Sequence, residues 1–181
     1  MTEPDLRAFC DAKHPQRKTP FVLDGWEYAA SSTISVRVPS LSATTSPEDA
    51  KWQQREPRRE AWDQKGQAVP VSVELVGRTC PVCLGGGVIL DPCTDPRCDR
   101  VFPSDDPCPV CGGGGSLPYP EVVEIEGQWF RGEDIHKLLA LPHLAIIVPP
   151  DCDTTVHHPR LFTFDGGQAL LIPVDPPKGV I

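Results

Sequence analysis

Six of the eight cysteines lie within 32 residues, from Cys80 to Cys111. Two short runs stand out among them. Cys80-Pro81-Val82-Cys83-Leu84-Gly85-Gly86-Gly87 is echoed by Cys108-Pro109-Val110-Cys111-Gly112-Gly113-Gly114-Gly115, with 24 residues between Cys83 and Cys108. A Cys-x-x-Cys turn can place two thiolates on one ion, and a second such turn supplies the other two corners of a tetrahedron. Proline stiffens each knuckle, and the glycines let the chain turn tightly and bring main-chain N–H groups toward the sulfurs. The spacing therefore predicts a structural Zn²⁺ site built from Cys80, Cys83, Cys108 and Cys111. Disulfides would require an oxidising compartment. A thioredoxin-type redox pair would require a βαβ context, which two glycine-flanked copies do not supply. Cys93 and Cys98, between the knuckles, stay open: a second irregular site, a pair with each other, or free thiols.

Stepping outward from the knuckles, the expected elements are short. Leu6, Phe9 and Cys10 form an i, i+3, i+4 apolar stripe after a Thr2 cap and Pro4, which predicts a helix over residues 3–13 with Cys10 as a small buried hydrophobe. Phe21–Leu23, Trp26–Ala29 and Ile34–Val38 read as a small antiparallel meander, with Asp24-Gly25 as a tight turn. Residues 40–68 have loop composition and read as a flexible surface excursion, within which Lys51–Lys65 is open between a short helix and disorder anchored by Trp52 and Trp62. Val69–Val76 alternates like a strand and is expected to join Val122–Ile125 in a hairpin from which the cysteine segment projects. Ile135, Leu138 and Leu139, preceded by Glu133 and Asp134, predict a second helix over 132–141. Leu144–Val148 is a buried strand candidate, and Leu161–Phe164 with Ala169–Val174 reads as a hairpin around Asp165-Gly166-Gly167. The order at the two ends is alike: a short helix with an apolar triplet, then about three strands. The fold class expected is α+β: two short helices on an antiparallel sheet, with a body of residues 1–39, 69–77 and 119–181 and an inserted metal module of residues 78–118.

Composition narrows the function classes. Among 181 residues, proline is abundant at 22, and 17 basic against 25 acidic side chains give a net charge of −8. Residues 1–66 are electrically balanced, so the acidity belongs to the remainder, and any basic face must come from the first third. No apolar run approaches the ~20 residues of a membrane-spanning helix, and the first residues carry no apolar signal core, so a cytoplasmic protein without membrane contact is expected. Nucleophile elbow, phosphate loop, HExxH and kinase motifs are absent, which points away from an enzyme. His157-His158 beside Asp151, Cys152 and Asp153 matches no standard metal spacing and reads as a polar loop.

The CPVCLGGG and CPVCGGGG runs resemble the CxxCxGxG repeats of the DnaJ-type co-chaperone cysteine-rich domain. The match covers about 35 residues and implies the zinc fold alone, because nothing like a J domain is present. Trp26–Val38 and the stretch from Val123 through Phe130, Ile135, Leu138–Pro142 and Phe162–Gly167 to Leu170–Val174 are similar to the bacterial DNA polymerase III beta sliding clamp. Ile172 stands where that family has methionine. The layout is also similar to that of phage and prophage proteins with a glycine-rich zinc insertion. The clamp resemblance implies helices that face DNA, which would put Arg7, Lys13, Arg17, Lys18 and Lys137 on phosphates, and a homo-oligomer of about six single-domain copies if a ring closes. Two functions follow as expectations. One is a DNA-replication accessory acting through DNA or replication proteins. The other is a phage-encoded inhibitor that binds a host replication or defence complex through its acidic zinc face.

Overall fold

In the computed structural model, residues 5–11, 13, 17–40, 59–92, 101–150 and 158–177 are described. Their strands are β1 (Phe21–Leu23), β2 (Trp26–Ala30), β3 (Ile34–Pro39), β4 (Gln67–Pro70), β5 (Arg78–Thr79), β6 (Val88–Pro92), β7 (Val101–Pro107), β8 (Ser116–Leu117), β9 (Val122–Ile125) and β10 (Gln128–Arg131). The helix α1 (Gly132–Leu138) follows, then β11 (Ala145–Val148), β12 (Arg160–Phe164) and β13 (Gly167–Leu171). Among the described residues the architecture is mostly antiparallel sheet with one α-helix. Two compact units share the chain, one formed by residues 1–73 and 122–181 and the other by residues 74–121.

The larger unit is a seven-stranded sheet in the order β1-β2-β3-β13-β12-β11-β4. The meanders β1-β2-β3 and β11-β12-β13 meet through their last strands, with Ala169 opposite Val36 and Leu171 opposite Ile34. Alternation in Ile34–Val38 sends Ile34, Val36 and Val38 to one buried face, as the period of two requires. On that face Phe130 meets Phe162 edge-on with ring centroids 5.5 Å apart, and Ile135 and Leu138 of α1 are fully buried. On the other face Leu23, Tyr28, Trp62, Ile147, Leu161 and Leu170 form a second cluster. The Arg37 guanidinium lies 4.3 Å from the ring centroids of both Trp26 and Trp62 and donates to Gln168 Oε1.

Several expected elements take a different form. The first helix is a single 3-10 turn, Leu6–Phe9, capped by Asp5, whose Oδ1 accepts the Arg7 N–H at 3.0 Å. Asp5 rather than Thr2 therefore starts the described turn, and Thr2 lies outside the described residues. Leu6 and Phe9 are buried as the stripe requires, while Cys10 is half-buried. Residues 59–68 of the expected excursion belong to the sheet body. Trp62 sits in a 3-10 turn, Arg59–Asp63, at 4% exposure, and β4 pairs with β11. Residues 41–58 lie outside the described residues. The strand expected over Val69–Val76 ends at Pro70, with one further bond from the Val71 N–H to Leu144 O. Alternation continues to Val76, but a strand exists only where a partner completes the ladder. The expected hairpin between Val71–Val76 and Val122–Ile125 does not form, because β9 pairs with β10 across Glu126-Gly127. The last strand stops at Leu171, and Val174 makes an isolated bridge to Trp129 beyond Pro173, which has no N–H to donate.

In the smaller unit, β5 pairs with β8 and β6 with β7. The Arg78 guanidinium and the Glu121 carboxylate approach to 3.3 Å near its two chain ends. Among the described residues, no helix is long and apolar enough to cross a membrane.

Candidate metal centre

The four knuckle cysteines converge. Cys80 Sγ and Cys108 Sγ are 3.9 Å apart, Cys83 Sγ and Cys111 Sγ are 3.6 Å apart, and all four sulfurs lie within 4.8 Å of one another. Each is a free cysteine. A tetrahedral ion with metal–sulfur bonds of ~2.3 Å has sulfur–sulfur edges of about 3.8 Å. The tetrad thus has the size and donor set of a four-thiolate site and can hold a metal ion. Cys80 and Cys108 are fully buried, and Cys111 is the most exposed of the four.

The two knuckles are related by an internal two-fold with an offset of 28 residues. Cys80 N–H donates to Gly115 O at 2.9 Å, and Cys108 N–H donates to Gly87 O at 2.8 Å. Gly86 N–H donates to Cys83 O, and Gly114 N–H to Cys111 O. The flanking strands obey the same relation: Thr79 stands opposite Ser116, and Pro107 opposite Val88. The exchange of bonds explains the glycines. A Cβ on Gly87 would come 2.4 Å from Gly113 O, and one on Gly115 would come 2.4 Å from Gly85 O. Both residues also have positive φ, +76° and +71°, which disfavours any side chain. The last glycine of each repeat is therefore a point of close main-chain crossing.

The sulfurs sit in unequal surroundings. Main-chain N–H groups of Cys83 and then Val82 hold the Cys80 thiol down at about 7, against the opposing effect of burial. Burial first, and then the hydrogen bond shared with Cys83, pushes Cys111 up to about 11, although the Gly115 N–H reaches its sulfur at 3.3 Å. A divalent ion removes this contrast by taking all four groups as thiolates. Residues 74–121 carry three basic and seven acidic side chains, net −4, and four thiolates with a divalent ion deepen this by two charges.

Cys93 and Cys98 lie outside the described residues, as do Cys152 and His157. The cationic residues expected to meet DNA are divided. Arg7, Lys13 and Lys18 are exposed. The Arg17 guanidinium donates to Ser31 O at 3.0 Å, and Lys137 Nζ donates to Glu133 Oε1 at 2.8 Å. Reasoning from sequence overlooked the outward-facing apolar residues of the knuckles: Val82 is 50% exposed, Leu84 80% and Val110 47%. Their signal was present, since a Cys-x-x-Cys turn has no core of its own in which to bury the residues between its cysteines.

No protein-family model, curated protein or solved structure matches this chain.

Proposed function

We propose that the protein is a non-enzymatic, zinc-stapled interaction module whose cysteine unit is its contact surface for another protein. The single observation behind this reading is where the exposed apolar surface lies. All the large exposed hydrophobics among the described residues, Val76, Val82, Leu84, Leu90 and Val110, belong to residues 74–121. Apolar side chains rimmed by polar surface favour protein contact. The net −4 of the same unit disfavours phosphate backbones and favours a partner with basic groups around an apolar centre. Zinc is the metal of choice because four thiolates in a closed tetrahedral set are its usual structural environment. A phage-encoded inhibitor of a host replication or defence complex is one protein of this type.

Native mass spectrometry of protein purified without added metal or chelator tests the reading. One zinc on the chain supports it, and a chain without metal overturns it. Affinity capture with wild type and with Val82→Ser/Leu84→Ser/Val110→Ser then tests the surface: a specific partner is expected to be lost in the variant, whose zinc content stays at one.

DNA contact through a clamp-like body is the second reading, favoured by the exposure of Arg7, Lys13 and Lys18. It requires salt-sensitive DNA binding that weakens when these three residues become alanine.

A further inference from the structure

The larger unit contains a half-open cleft of about 990 Å³ between the N-terminal 3-10 turn, the end of α1 and the β12–β13 turn. Its floor is apolar, formed by Phe9, Val38 and Leu141 at 3%, 4% and 7% exposure. Its polar lining residues are Asp5, His136, Lys137, His143 and Asp165. Two turns are joined there. The Asp165 N–H donates to Pro142 O at 3.1 Å, and His143 Nδ1 lies 2.7 Å from Asp165 Oδ2. His143 holds φ of 51°, a left-handed conformation that few residues with a side chain adopt.

The rim chemistry selects a ligand class. A carboxylate can only accept, so a neutral His143 keeps its proton on Nδ1 and presents Nε2 as an acceptor. The imidazole is 83% exposed, so Nε2 is accessible. Asp5 and Asp165 add two more acceptor groups of negative charge. Among the described lining residues the one formal cation, Lys137, is engaged by Glu133. An apolar floor under acceptors and carboxylates suits a molecule with an apolar group at one end and a hydrogen-bond-donating cation at the other. We propose that this cleft binds small aryl or alkyl primary amines, independently of the metal unit.

The test uses the full-length, metal-loaded chain at pH 8 and two probes of one shape and opposite charge, phenethylamine and 3-phenylpropionate, followed by NMR. Saturable shifts of the Phe9 ring and His143 imidazole signals are expected with the amine and not with the acid. Asp5→Asn keeps the cap of the 3-10 turn, and Asp165→Asn keeps an acceptor for His143 Nδ1. Each is expected to weaken the amine by about threefold, the size of an exposed ion pair. Equal binding of the acid, no saturable shift with the amine, or amine affinity unchanged in both variants would overturn the proposal.

Discussion

Cys80 and Cys108 occupy equivalent places in two interlocked turns. Each is fully buried, their sulfurs are 3.9 Å apart, and each donates its main-chain N–H to the terminal glycine of the other's repeat. Few side chains of this unit are buried among its described residues. The buried apolar side chains of residues 74–121 among the described residues are Cys80, Cys108 and Leu117. An ion held by the tetrad would supply what so small a core does not, as in other small domains whose ligand binding is also their folding energy.

Chelation is accordingly expected to unfold one unit and spare the other. All four tryptophans of the chain, Trp26, Trp52, Trp62 and Trp129, lie outside residues 74–121. Adding EDTA should abolish amide protection across Thr79–Leu117 in hydrogen exchange while leaving tryptophan emission unchanged. A tryptophan red-shift on chelation would show that the sheet also depends on the metal.

The crossing glycines should be the least replaceable residues of the module after its ligands. Gly87→Ala and Gly115→Ala each place a methyl carbon 2.4 Å from a carbonyl oxygen at positive φ. Left-handed backbone costs a side-chain-bearing residue about 1–2 kcal/mol, and the clash adds to it. Gly25→Ala, also at positive φ but with nothing within 4 Å, is the control. Competition with a colorimetric zinc chelator should show metal affinity falling by at least about tenfold in the first two variants and unchanged in the third.

Asp134 gives the body a pH dependence of defined sign. Burial pushes its carboxyl above the usual range, against the Thr33 hydroxyl, which donates to Oδ2 at 2.7 Å, and the charge of Lys137. A carboxyl whose folded value is raised contributes most at low pH, and that contribution is lost as pH rises through the folded value. Asp134→Asn keeps an acceptor for Thr33 and has no charge to bury. Wild type should therefore lose stability relative to the variant as pH is raised from about 4 toward 7. Urea melts at several pH values check this, and a gap that moves the other way would show that the ionised form is the favoured one.

The cysteine tetrad was legible in the chain because its determinants are local. A Cys-Pro-Val-Cys turn fixes two sulfurs within four residues, and a second copy followed by the same glycines leaves little choice of partner. Short periodic stretches were legible for the same reason: Ile34–Val38 alternates and is buried on alternate residues, and Ile135 and Leu138 lie one helical turn apart and are both buried. Tertiary structure decided whatever depended on a distant partner. Val71–Val76 carries a strand pattern but finds no ladder, whereas Gln67 and Ala68, which carry no such pattern, pair with Val148 and Ile147. Trp62, in a stretch of loop composition, is buried at 4% exposure with the Arg37 guanidinium of β3 beside its ring. His143 and Asp165 are 22 positions apart and meet only because the turn after α1 and the turn before β13 are joined by the Asp165 N–H. Local stereochemistry can be read from a handful of neighbouring residues. The pairing of edges, and the chemistry brought together at their ends, follows from how the whole chain excludes water, and no short window of sequence contains that information.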